Sequence, residues 1–179
     1  MGQEKKGSEE FKQFVEEFRK ESDRAAVILG AAKLDSLLYL LLTKTLLPNV
    51  GEQDELFEGE APLSSFNAKI NLAYRLGLID SHFSRALHLI RKIRNSFAHE
   101  VSGCSLNSGA QRDRVRELIA PIEKFNQFEI LKSGLFEKDD PASDFRMTLS
   151  VALLRLELAI RENEPIKEQA TCLIPPNWD

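Results

Sequence analysis

Cysteine is scarce in this chain of 179 residues, with Cys104 and Cys172 the only two. They stand far apart, without a CxxC pair or a neighbouring histidine, which excludes a disulfide framework and a zinc site. Long unbroken apolar runs are missing too. The longest, Leu37 to Leu42, is too short to cross a bilayer, and the polar opening Met1 to Gly7 lacks the apolar stretch of a secretory signal. Lys6 stands where a myristoylation pattern needs Ser or Thr. No membrane partner and a cytoplasmic location are therefore the expectations. Neither sign of charge dominates: 24 Lys+Arg face 28 Asp+Glu, and a net charge of −4 gives no whole-chain argument for nucleic acid. Alternating β-branched runs and internal repeats are absent, which argues against sheets and solenoids.

What is present is helical periodicity. With 42% apolar and 29% charged residues, the chain suits one compact domain over residues 1–179, with 1–7 and 175–179 as tails. Phe11, Phe14, Val15 and Phe18 recur at helical spacing behind Ser8 as a possible N-cap. Ser22 or Asp23 opens a central helix, apolar over most of its circumference, that Pro48 stops near Leu47. An acidic loop from Asn49 to Pro62 follows. Ser64 and Ser65 can cap a third helix that ends at Gly77, and Asp80 opens a fourth with Phe83, Leu87, Ile90, Ile93 and Phe97 inward. A fifth turns Val115, Leu118, Ile119 and Ile122 inward, with a kink expected at Pro121. Asp140-Pro141 starts a sixth through Phe145, Leu149, Leu153, Leu156 and Ile160. The reading is an all-α bundle of about six helices.

One segment departs from the mixed charge pattern. From Ser81 to His99 there are four basic residues, Arg85, Arg91, Lys92 and Arg94, and no acid, so a phosphate would be drawn here first. Arg94 can hold phosphate oxygens through a forked pair of hydrogen bonds, and His99 can exchange a proton near neutral pH. Those parts suffice for metal-free RNA cleavage by the ribose 2′-hydroxyl. Five residues on a continuous helix, however, separate two side chains by roughly 140° around the axis. A working site then needs either a helix that ends near Ala98 or a second copy of the chain, and a single His99 cannot be acid and base at once.

Asp35 lies on an apolar stripe of the central helix and needs a cation; Arg94, Arg24 and Lys69 are candidates. His82 and His88 have no acid at metal-ligand spacing, so no metal and no cofactor are expected. Cys104 has no adjoining base and reads as a spectator. Trp178 could dock on the bundle or be disordered.

The stretch Lys92-Ile93-Arg94-Asn95-Ser96-Phe97-Ala98-His99 resembles the Arg-(Asn/Asp)-x-x-x-His motif of the HEPN superfamily, all-helical proteins that include dimeric, metal-independent endoribonucleases and many non-catalytic binding domains. A longer series is similar to the mannitol operon repressor-like family, a HEPN-like branch. It comprises Arg24 to Asp35, Leu56-Phe57-Glu58-Gly59, Pro62 to Phe66 and Lys69 to Ile79. The resemblance implies a HEPN-like bundle and a homodimer. It further implies a transcriptional regulator that works through a protein partner without a DNA-binding motif. On the nuclease side it implies Arg94 at the phosphorane, His99 moving the proton and Asn95 orienting one of them. Asp35 and Arg24 would stand behind that site, and Arg85, Arg91 and Lys92 would hold RNA phosphates.

Overall fold

The computed structural model describes residues 9, 12–13, 15–100, 102–136 and 139–168, and among these it is all-helical. The expectations for Ser8, Phe11, Phe14, Cys172, Trp178 and both tails fall outside the described residues. Residues 15–19 are helical, with Val15 and Phe18 fully buried.

Helix α1 (Asp23–Thr45) starts where Ser22 Oγ accepts the N–H of Ala25 at 3.2 Å. Its buried arc runs through Ala26, Val27, Gly30, Ala31, Leu34, Leu38, Leu41 and Leu42. An unbroken-run criterion understates this helix. By length and composition it could cross a bilayer, with a hydropathy of 1.8 in its most apolar window, of which 50% is buried against other helices.

Helix α2 (Phe66–Arg75) is capped by Ser65, whose hydroxyl accepts the N–H of Ala68 at 3.1 Å. It turns at Gly77, which takes the left-handed conformation (φ 73°) that glycine adopts without steric cost. Helix α3 (Ser81–His99) begins at the Asp80 cap and buries Leu87, Ile90, Ile93 and Phe97 completely.

Helix α4 (Gly109–Ile119) corrects one expectation. Pro121 does not kink it; the helix stops two residues earlier, because a proline ring has no N–H for the ladder and collides with the carbonyl four residues back. A helix that the periodicity does not show, α5 (Asn126–Leu135), follows after a short turn. Helix α6 (Pro141–Glu162) then starts at the Asp140 cap and is buried from Ala142 to Ser150.

The bundle is built around α1, which packs most extensively on α6 and then on α3 and α2. Side chains at its two ends fix the directions of its neighbours. Arg24 donates to the carbonyls of Phe97 and Glu100 at the end of α3, which makes α1 and α3 antiparallel. Arg146, at the start of α6, lies 2.9 Å from Asp23, while Lys44 reaches the carbonyl of Arg161 at 3.3 Å, so α1 and α6 run parallel.

Helix α5 is peripheral and rests on α6. Phe128 and Phe136 join Val15, Ile119 and Met147 in a small second core, and Lys132 reaches Asp144 at 2.8 Å and Asp139 at 2.7 Å. Burial alone would depress the Lys132 ammonium, but hydrogen bonds to Asp139 and Asp144 outweigh it and hold the proton more firmly than in water.

Candidate functional site

Helix α3 is continuous through His99, with Glu100 as its C-cap, and this settles the geometry of the motif within one chain. Arg94 and His99 do not share a face. The basic strip is split between two faces of one cylinder. Arg85, His88, Lys92 and His99 fall along one line, because steps of three, four and seven residues return to the same side of a helix. Arg94 points well away from that line, and Arg91 and Asn95 stand between it and Arg94, with Asn95 four residues from His99; these three line a common cleft.

The second group opens onto a cleft between α1, α2 and α3. Its volume is about 520 Å³, and its walls include Ala32, Asp35, Ser36, Ser65, Asn67 and the three α3 side chains. Arg94 is exposed, and its one hydrogen bond among the described residues is donated to Asn95 Oδ1 at 3.2 Å. Arg91 is half-buried, and among the described residues its Nε is buried without an acceptor.

Asp35 shares this cleft but does not orient Arg94. Its cation is the buried Lys69, 3.0 Å from Asp35 Oδ1, and Lys69 also donates to the carbonyl of Ser64 at 3.1 Å. The Asp35–Lys69 approach is close in distance but off-line for a hydrogen bond, so Oδ1 is held by charge alone. Arg24 is also away from the cleft, since its guanidinium closes the last turn of α3 beside His99.

The other face of α3 is more fully used. Arg85 is paired with Glu117 of α4 at 2.5 Å. His88 Nε2 lies 3.2 Å from Asn71 Oδ1 of α2, and burial, with Arg91 and Lys92 nearby, lowers its pKa below the ordinary 6.5. Among the described residues His99 is exposed and makes no hydrogen bond or ion pair. No group of three His, Cys, Asp or Glu side chains converges on a metal position among the described residues. Burial and Glu100 push the Cys104 thiol up, so it stays protonated and unreactive at neutral pH.

One residue of consequence carries no motif signal. Arg146 is buried in α6 and donates to the carbonyls of Phe18, Glu21 and Ala142 and to Asp23, pinning residues 15–21 to the bundle. The sequence around it gives no clue, because 142–150 mixes Ser143, Asp144, Thr148 and Ser150 with apolar residues, and only the burial of the whole segment shows that this charge must be fully partnered.

Large apolar side chains remain in water on α1. Leu29 (53% exposed) and Leu40 (48%) line up with the small Ala32 and Ser36, which also form the edge of the cleft, while the exposed Leu47 lies beyond the end of the helix. Comparison with protein-family models, with curated proteins and with solved structures finds no match for the chain.

Proposed function

We propose that this chain is a homodimeric regulatory protein, similar to the mannitol operon repressor-like family, that acts through protein–protein contacts. The observation that carries the reading is the stripe Leu29–Ala32–Ser36–Leu40, in which two large leucines stand exposed on the outer side of the central helix. An aligned apolar stripe of this kind marks an interaction surface. Its small residues, Ala32 and Ser36, let a second helix approach closely. Such a stripe can serve as its own complement about a two-fold axis, and a second copy of the chain is the occupant we infer. The start of α3 speaks against direct DNA reading. A recognition helix reads bases from its N-terminal residues, whereas α3 opens Asp80-Ser81-His82 and its first arginine, Arg85, is held by Glu117.

The test is sedimentation of the purified protein, alone and with a duplex DNA fragment. A dimer that is dissociated by Leu29→Glu/Leu40→Glu and does not co-sediment with duplex DNA is the expected result. A monomer, or DNA binding by the monomer, would refute it.

A second reading is favoured by the unspent state of Arg94 and His99. If a dimer brings Arg94 of one chain to His99 of the other, the pair has the parts of a metal-independent endoribonuclease, with Arg94 on the phosphorane, His99 on the proton and Asn95 as orienting amide. Incubating structured and unstructured RNA in EDTA, beside an Arg94→Ala/His99→Ala variant, separates the two. Cleavage lost in the folded variant supports the nuclease, and intact RNA in every lane removes it.

A further inference from the structure

We propose that the cleft between α1, α2 and α3 binds the phosphate group of a small phosphate monoester, with Arg91 and Arg94 as its charged contacts. The charge balance of the cleft leads there first. Its one carboxylate, Asp35, is spent on Lys69 at 3.0 Å, which leaves the two guanidiniums as net positive charge. Neither has an acid within salt-bridge distance among the described residues, and Arg94 is engaged only by a neutral amide oxygen at 3.2 Å.

Arg91 gives the second reason. Its guanidinium brings charge to the wall of the cleft with no acid partner among the described residues, while its Nε, sealed from solvent, is not itself a contact for a ligand. The matching ligand is therefore an anion with several oxygens. A monoester phosphate dianion offers three oxygens and the charge of two guanidiniums, whereas a carboxylate matches only one fork. The opposite wall is compatible with that choice. It holds Ser65 and the opening residues Phe66 and Asn67 of α2, whose N–H groups have no carbonyl within the helix to reach. These amides only add donors; the arginines carry the argument.

The shape of the charge selects a small ester over a nucleic-acid strand. A strand needs a continuous positive track, but Arg85 and Lys92 lie on the other side of α3, and Arg85 is neutralised by Glu117 at 2.5 Å. The cleft is a local hollow of about 520 Å³ edged by Ala32 and Ser36 of the apolar stripe. Occupancy of the cleft thus adjoins the proposed dimer face without depending on it.

The experiment is isothermal titration of the full chain with glycerol 3-phosphate, with inorganic phosphate, and with a single-stranded oligoribonucleotide lacking a terminal phosphate. The expected result is binding of the two phosphates, weakened roughly tenfold by Arg91→Gln and by Arg94→Gln and unchanged by Arg85→Gln. Arg94 is exposed, so Arg94→Gln keeps the test valid should Arg91→Gln fail to fold. No phosphate binding at millimolar concentration, equal binding by the Arg94 variant, or tighter binding of the oligoribonucleotide would each overturn the proposal. Sedimentation of the same samples reads the dimer separately, so loss of one result leaves the other standing.

Discussion

Replacing Gly30 with alanine puts the packing of α1 on α6 to a quantitative test. A Cβ at this position would lie 2.3 Å from Leu149 Cδ2, 2.8 Å from Cδ1 and 3.1 Å from Cγ. Carbon atoms prefer roughly 3.5–4 Å, so the closest contact overlaps by more than 1 Å. Leu149 is fully buried, so it can yield only by repacking against its neighbours in the core. Two opposing terms then compete. Alanine is the better helix former by about 1 kcal/mol, while forcing an extra carbon into a packed core costs about 1–3 kcal/mol, toward the upper end for so close an approach. The net expectation is a loss of about 1–2 kcal/mol. In a Leu149→Ala background, itself destabilised by about 2–5 kcal/mol, the obstacle is gone and the same Gly30→Ala change should stabilise by about 1 kcal/mol. The sign of the substitution reverses, with a coupling of about 2–3 kcal/mol. Urea unfolding of the four proteins, with m-values that stay constant, measures each step. A neutral or stabilising Gly30→Ala in the parent protein, or the same effect in both backgrounds, would show that α1 and α6 do not meet at these residues.

Arg146→Met should cost about 3 kcal/mol, because four acceptors around the guanidinium lose their donor at once, and hydrogen exchange should quicken first in residues 15–21. Unchanged exchange there would contradict the pinning role. Asp35→Asn leaves the buried Lys69 ammonium without a counter-charge and should destabilise by about 1–2 kcal/mol, discounted because the Asp35 side chain is 34% exposed. A urea midpoint at or above that of the parent would deny the pair. The lowered pKa of His88 means that the unfolded chain binds its proton more readily than the folded one, so stability attributable to His88 is lost as pH falls from about 6.5 toward the lower folded value. His88→Gln should therefore flatten the acid side of a stability–pH profile, and an unaltered profile would exclude His88 as its source.

Much of the helical framework is legible from local chemistry. The caps Ser22, Ser65, Asp80 and Asp140 each accept an N–H within their own first turn, so the signal needs no tertiary partner. Pro48 and Gly77 mark ends for equally local reasons. Helix α5 escapes notice because it has neither kind of signal. Its N-cap is Phe125 without a side-chain bond, it contains Gly134, and what holds it is a non-local tie from Lys132 to Asp144. Pro121 is visible as a helix breaker, but only the fold shows that the chain restarts rather than bends.

The site divides in the same way. The residues Arg91, Arg94, Asn95 and Asp35 stand out by type and spacing. Their grouping does not, because Asp35 and Lys69 meet only once α2 packs on α1, and Arg94 parts from His99 only once α3 runs unbroken to its end. Lys69 could be named among three cations for Asp35, but choosing it required the position of α2. Arg146 shows the converse, a residue with no motif whose burial alone reveals its importance.

The proposed dimer is built on the outer face of α1, so sedimentation equilibrium of the wild-type chain beside Leu29→Glu/Leu40→Glu tests it most directly. The proposal predicts a dimer for the wild type and a folded monomer for the variant, with the helical circular dichroism unchanged, since both side chains are about half exposed and contribute little to the core. A wild-type monomer at concentrations up to about 100 times a micromolar dissociation constant, or a variant that remains dimeric, would contradict it.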